Sequence, residues 1–93
     1  MTYRIEIRPH AQRYLARLSR NLRTVIADHI DALAQNPRPV WGKRLGGDLK
    51  GRWSFRVGDY RVVYRIEDDV LVVLVLHIGP RGRAYEDAAR SGG

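Results

Sequence analysis

The sequence predicts an α+β domain in which two N-terminal helices pack on one face of a mainly antiparallel, twisted sheet. Three observations carry this prediction: an alternating N-terminal segment, two helical apolar stripes after it, and three closely spaced strand-like segments in the second half. The predicted order is therefore β-α-α-β-β-β. A chain of 93 residues has room for one core, so we expect 1–93 to be a single domain, with 85–93 as a C-terminal segment that can be mobile.

The N-terminal half begins with a strand and continues with two helices. Apolar and charged residues alternate over 3–8, which is typical of a half-buried strand. Pro9 suits the first turn of a helix, where its missing N–H costs nothing. Asn36-Pro37 ends the second helix, because proline disfavours the helical conformation in the residue before it. The stripes fall every three or four residues, at Ala11, Tyr14, Leu15 and Leu18, and at Leu22, Val25, Ile26, His29, Ile30 and Leu33.

The second half contains the predicted sheet. Strands are expected at 53–57, 60–66 and 70–78, joined by the two-residue connections Gly58-Asp59 and Asp68-Asp69. The last strand is apolar at successive positions, which predicts a central strand covered on much of both faces. The preceding segment, 40–52, is a basic, glycine-rich loop without the spacing of a phosphate-cradling P-loop.

Charge indicates the class of partner. The chain has 17 basic residues against 10 acidic ones, a net charge of +7 and a pI near 10.6. Eight of the cations and only two acidic residues fall within 38–65. A localised positive field favours nucleic acid. The alternative is an arginine-rich surface whose charges are simply solvated.

The sequence does not support a disulfide-bonded, a membrane-spanning or a metal-binding protein. There is no cysteine, which excludes disulfides and thiolate chemistry, and the longest apolar run, 70–76, is far short of the ~20 residues that a membrane helix needs. His10, His29 and His77 are scattered without metal-ligand spacing. We expect His29 to be packed in the helical stripe and His77 to be structural. The sequence thus predicts a soluble, cytoplasmic protein and offers no motif for a metal or a cofactor.

The candidate site lies on the first predicted hairpin. If Gly58-Asp59 is a two-residue turn, Arg56 lies directly across from Arg61. Like charges opposed across two strands are destabilising, whereas two guanidinium groups are suited to binding a phosphate. Ser54 and Arg65 share that face. The alternative is a pair of solvated arginines that splay apart.

A second group of candidate residues follows the last strand. Arg81 comes after the strand end in Ile78-Gly79-Pro80-Arg81, where it could join the hairpin arginines. Tyr85 could stack on a base or transfer a proton. Its alternative role is to attach the C-terminal segment to the core.

These motifs resemble the RelE/ParE toxin superfamily over roughly residues 3–87. The residues that carry the resemblance are Gly42-Lys43, Leu45, Leu49-Lys50-Gly51, Trp53, the run Arg56-Val57-Gly58-Asp59-Tyr60-Arg61-Val62-Val63-Tyr64, Ile78-Gly79-Pro80-Arg81 and Tyr85. The resemblance implies a fold like that of microbial ribonucleases. It also implies, for the RelE-like branch, a ribosome-dependent endoribonuclease that cuts translated mRNA in the A site by attack of the 2′-hydroxyl on the scissile phosphate.

The resemblance also implies roles for individual residues. Arg61 and Arg81 would hold the scissile phosphate and its developing charge. Arg56 would aid deprotonation or bind phosphate, and Tyr85 would stack on a base or transfer a proton. The remaining candidates would bind RNA or the ribosome: Lys43, Arg44, Lys50, Arg52, Ser54, Arg65 and Arg83.

Two departures keep alternatives open. Ser54 stands where the best-known members carry a second lysine, and Pro80 replaces a histidine that many relatives place before the arginine, a role for which His77 is a candidate substitute. The alternatives are a ParE-like inhibitor of DNA gyrase without nuclease activity and a catalytically inactive RNA-binding relative. The resemblance further implies a RelB-like antitoxin with an acidic segment as partner, contact with DNA only through that antitoxin, and no contact with a membrane.

Overall fold

The computed structural model describes residues 2–80. Its helices are α1 (Pro9–Arg17) and α2 (Arg20–Ala32), and its strands are β1 (Arg4–Ile7), β2 (Lys43–Arg44), β3 (Arg52–Val57), β4 (Tyr60–Glu67) and β5 (Val72–Pro80). A short 3-10 turn spans Gly47–Leu49. The predicted fold class and the order β-α-α-β-β-β are confirmed, with β2 as a short additional strand.

Local signals set the helix boundaries. Pro9 occupies the first turn of α1, as predicted. Ser19 caps α2, where its hydroxyl accepts a hydrogen bond from the Leu22 N–H at 3.4 Å. The stripe of α2 is buried at Ile26 and Ile30, but Val25 is 42% exposed, so the buried face of this helix is narrower than predicted.

The five strands form one sheet in the order β1-β5-β4-β3-β2. β1 runs parallel to β5, and the other three pairs are antiparallel. This order makes β5 a central strand, as its apolar sequence predicted. β1 pairs with β5 only as far as Ile7 and Val75, so the end of β5 extends past it.

Three sequence predictions of strand and loop boundaries were wrong. The β4–β5 connection is four residues, 68–71, because Val70 is 66% exposed and Leu71 has a positive φ of 53°. The predicted loop at 40–52 contains β2, whose two residues are too few to show an alternating pattern. β5 also continues to Pro80, opposite Tyr60.

The main core lies between the helices and one face of the sheet. It contains residues from both helices and from strands β3, β4 and β5: Ala11, Ile26, Ile30, Leu33, Phe55, Val62, Tyr64, Val73, Val75 and Ile78. A smaller apolar cluster lies on the other face, where Leu45, Leu49 and Leu74 pack on Val63 and Leu76. The 3-10 segment therefore covers part of that second face. Within residues 2–80, no helix is long and apolar enough to cross a membrane.

Candidate nucleic-acid interface

The β3–β4 hairpin aligns two pairs of arginines. Arg56 pairs with Arg61, and Arg52 pairs with Arg65, across antiparallel strands. Residues paired in this way project to the same face of the sheet. Gly58 has a φ of 57°, which a two-residue hairpin turn requires, and this turn sets the register of the two strands. We call this surface, with Ser54 and Lys43, the basic face.

Lys43 joins the hairpin arginines through strand pairing. It lies opposite Ser54 in the β2–β3 pair, and both residues line a cleft of about 230 Å³ together with Arg56 and Arg61. Ser54 is buried with 2% exposure, whereas Lys43 and Arg56 are exposed. The cleft therefore offers three cationic side chains above a small buried hydroxyl, an arrangement suited to an anion such as phosphate.

The second arginine pair forms a more buried part of the basic face. Burial, reinforced by the charges of Arg65 and Arg8, lowers the pKa of the Arg52 guanidinium from its ordinary value. Arg65 forms an ion pair with Glu67 at 2.7 Å, with both side chains partly exposed. Arg8, just before α1, is thus a cation of this face that sequence reasoning missed, because its distance along the chain gives no sign of its proximity to Arg52.

The remaining predicted residues separate into two groups. Arg44 pairs with Trp53 and so projects to the face opposite that of Lys43, since successive residues of a strand alternate. Lys50 is exposed and follows the 3-10 turn. Arg81, Arg83 and Tyr85 lie outside the described residues, so their predicted roles remain predictions.

An aromatic cluster borders the cleft, and the sequence analysis did not assign it to the site. Trp41 lines the cleft and is 40% exposed. Its ring contacts those of Phe55 and His29 at centroid distances of 5.2 and 5.0 Å. His29 is packed, as expected. The signal that could have identified Trp41 is a lone tryptophan in an otherwise basic, glycine-rich loop.

A pair of histidines lies just beyond the last residue of β1 that pairs with β5. His10 Nε2 lies 2.9 Å from His77 Nδ1, and one ring donates while the other accepts, depending on the tautomers. The contact joins the start of α1 to the end of β5. Among residues 2–80, no group of three or more histidine, cysteine or acidic side chains is arranged to hold a metal.

Comparisons with known proteins identify the family. The model of the family described as ParE toxin of the type II toxin–antitoxin system parDE matches residues 5–85. The RelE toxin of Mycobacterium tuberculosis is 38% identical over 84 residues, which are 89% of this chain and 86% of that protein.

Solved structures agree on the fold. RelE in the RelE–RelB complex of Pyrococcus horikoshii has 31% identity and a TM-score of 0.77, with 90% of this chain and all of that chain covered. A free mutant form of the Escherichia coli toxin RelE has 21% identity and a TM-score of 0.81, with 98% of both chains covered, and at that identity it shows the fold alone. The chain thus belongs to the RelE/ParE superfamily of toxins from type II toxin–antitoxin systems.

Proposed function

We propose that this toxin is a RelE-like endoribonuclease that cuts translated mRNA in the ribosomal A site. The observation that carries the proposal is the opposed pair Arg56 and Arg61, which share one cleft with Lys43. A domain selected for stability alone would seldom oppose two arginines on a hairpin. A phosphate bound between them offsets their repulsion, and the relative at 38% identity is a RelE toxin.

The proposed reaction is an internal transesterification of the RNA. The 2′-hydroxyl oxygen attacks the adjacent phosphorus and loses its proton, the P–O5′ bond breaks, and the 5′-oxygen of the leaving nucleotide is protonated. The products are a 2′,3′-cyclic phosphate and a 5′-hydroxyl. Because the nucleophile belongs to the substrate, the scheme requires no metal or cofactor.

The side chains of the cleft have roles that match the charge that develops. Arg56 and Arg61 bind the non-bridging oxygens, which gain negative charge in the transition state, and Lys43 adds a third positive charge. By sequence position, Arg81 joins this group and Tyr85 stacks on a base or transfers a proton. Ser54 has a hydroxyl but no charge. The third cation of the cleft is therefore Lys43, which lies directly opposite Ser54 on β2.

The proposed partners follow from the same charges. The ribosome and mRNA present phosphates to the basic face, where Arg52 and Arg65 would bind RNA away from the scissile bond. A RelB-like antitoxin with an acidic segment would cover the face and keep the toxin inactive. RelE of P. horikoshii forms a complex with RelB, which supports a partner of that class. Contact with operator DNA would occur only through that antitoxin, and the site of action would be the cytoplasm.

The test is induced expression of the chain in bacteria, followed by primer extension on a translated message. We expect cuts within codons that disappear when translation of that message is blocked. Arg61→Ala should reduce cleavage roughly 10²–10³-fold, because it removes a donor to the developing charge. Its thermal stability should equal or exceed that of the wild type, because the repulsion with Arg56 is relieved.

A matched pair of variants tests the cleft itself. Lys43→Met removes a cation that lines the cleft, whereas Arg20→Met removes an exposed cation at the start of α2, outside the cleft and outside the candidate RNA-binding residues. We expect the first variant to lose most of its cleavage and the second to lose little. Full toxicity of Arg61→Ala would refute the phosphate site. Growth arrest with DNA damage and no RNA cuts would indicate a ParE-like gyrase inhibitor, and the absence of arrest would indicate an inactive relative.

A further inference from the structure

Trp41 occupies an unusual position for a large apolar side chain. It lies in the segment between α2 and β2, it is 40% exposed, and it lines the same cleft as Lys43, Arg56 and Arg61. An exposed indole loses the hydrophobic stabilisation that burial would provide. Beside three cations it supplies what a phosphate site lacks, which is a flat apolar surface.

The indole is held in place by aromatic neighbours and is partly exposed. Phe55 and His29 stack on each other at 5.5 Å with 18° between their planes, so both lie on one side of Trp41. The Trp41 ring stands at 85° to Phe55 and at 75° to His29. Edge-to-face contacts with two rings on one side leave at least one indole face away from them, in keeping with the exposure.

The backbone around Trp41 is also fixed. The Gly42 N–H donates to the Pro39 carbonyl at 2.9 Å, and the Tyr64 hydroxyl donates to the Pro37 carbonyl at 2.9 Å. Pro37 and Pro39 are buried. A ring positioned before binding loses little conformational entropy when a ligand stacks on it.

We propose that Trp41 forms a subsite for an unpaired nucleobase of the RNA whose phosphate binds at Arg56 and Arg61. This inference rests on the proposed function and adds to it a second point of contact on the same nucleic acid. Single-stranded RNA is commonly bound by aromatic stacking next to a positively charged groove. Every base has a π face, so stacking at this subsite increases the affinity for RNA and positions the strand without selecting one codon.

The charges of the cleft beside Trp41 favour RNA over a protein partner. An exposed tryptophan beside the fully exposed Val40 could also anchor a protein segment. Lysine is depleted at the centres of protein interfaces, however, and Lys43 lines the cleft beside Trp41. A stacked base brings its own phosphate to those cations.

The two tryptophans of the chain allow a direct measurement. Trp53 packs against the main core, and the Arg38 guanidinium lies 5.8 Å from its ring centroid, so Trp53→Phe leaves Trp41 as the reporter. The probe is a short single-stranded RNA with 2′-O-methyl groups, which block the nucleophile. We expect this RNA to quench Trp41 fluorescence. Trp41→Phe, in which only Trp53 is observed, should show little quenching. In Trp53→Phe, an RNA with an abasic nucleotide at one position should no longer quench the Trp41 fluorescence.

Binding measured by fluorescence anisotropy separates stacking from charge. Trp41→Leu keeps an apolar side chain but cannot stack, so we expect binding to be about ten- to a hundred-fold weaker with an unchanged dependence on salt. Arg61→Ala should instead reduce the slope of log affinity against log salt by about one. This contrast assigns Trp41 to a base and Arg61 to a phosphate.

Each result decides the proposal. RNA binding that is equal in wild type and Trp41→Leu would overturn the subsite and leave the nuclease proposal intact. If the chain alone binds no RNA, the same variants are compared in translation-dependent cleavage, where Trp41→Leu should lose at least ten-fold and Trp53→Phe should not. Equal cleavage by those two variants overturns the subsite, whereas a wild type that cuts nothing refutes the nuclease proposal itself.

Discussion

A contact between Gly42 and Tyr64 fixes the segment that carries Trp41. A methyl group at position 42 would lie 2.9 Å from the Tyr64 hydroxyl oxygen and 3.3 Å from both Cδ and the carbonyl oxygen of Pro39. Tyr64 is fully buried and its hydroxyl donates to the Pro37 carbonyl, so the ring cannot move aside without breaking that bond. We expect Gly42→Ala to lower the free energy of unfolding by about 1–3 kcal/mol.

Removal of the Tyr64 hydroxyl should by itself lower the free energy of unfolding. Tyr64→Phe leaves the carbonyl of the buried Pro37 without this donor, which should lower the free energy of unfolding by about 1–2 kcal/mol. In the double variant, the methyl at position 42 no longer meets the Tyr64 hydroxyl oxygen, so its shortest contact is gone and only the two 3.3 Å contacts with Pro39 remain. The double variant should therefore lose about 1 kcal/mol less than the sum of the two single changes.

Urea and thermal unfolding followed by circular dichroism measure this coupling. In a domain of this size, 1 kcal/mol corresponds to a change in Tm of about 4–8 °C. Gly46→Ala is the control, because its added methyl would meet no atom within 4 Å and its φ is −117°. Additivity of the two single changes to within about 0.3–0.5 kcal/mol would refute the clash between the methyl and the hydroxyl.

Two further predictions concern pH. Hydrogen bonds from Arg38 and Tyr3 hold the pKa of Asp68 below its ordinary value, so its stabilising contribution is present above the unfolded pKa and is lost as pH falls through the lowered folded value. Asp68→Asn should therefore flatten the acid limb of a plot of Tm against pH, and an unchanged acid limb would contradict this. Burial raises the pKa of Tyr64 to about 12, so stability should be full below about pH 10 and decrease as pH rises towards 12. Tyr64→Phe should reduce that alkaline loss in the same titration, and equal losses in both proteins would assign it to other groups.

The sequence was sufficient to predict the hairpin and its two faces. A side-chain period of two, together with the turn at Gly58-Asp59, placed Arg56 opposite Arg61 and directed Phe55 and Tyr64 to the core. These properties depend on residues close together in the chain. Local periodicity and turn chemistry therefore determine them.

The rest of the site depends on contacts that no local pattern reveals. Lys43 enters the cleft only because β2 pairs with β3. Trp41 borders the cleft because α2 provides His29 and β3 provides Phe55 against its ring. The charge of Arg8 acts on Arg52 although β5 and β4 lie between β1, which Arg8 follows, and β3. Such neighbours are set by strand order and by the packing of the helices, and one sequence shows neither.

The apolar cluster on the second face lies beside the arginine pairs of the proposed phosphate site. Leu45 and Leu49 pack on Val63 and Leu76, and Val63 belongs to β4, the strand that also carries Arg61 and Arg65. Arg52, Arg61 and Arg65 are only partly exposed, so their charges are screened less than on an open surface. The lowered pKa of Arg52 is one sign of that partial desolvation.

The repulsion among the arginines destabilises the folded chain, and the same field stabilises any anion that enters. The proposed phosphate of mRNA and the proposed acidic segment of an antitoxin would therefore compete for one surface, and a partner that supplies negative charge there would inhibit the proposed cleavage directly.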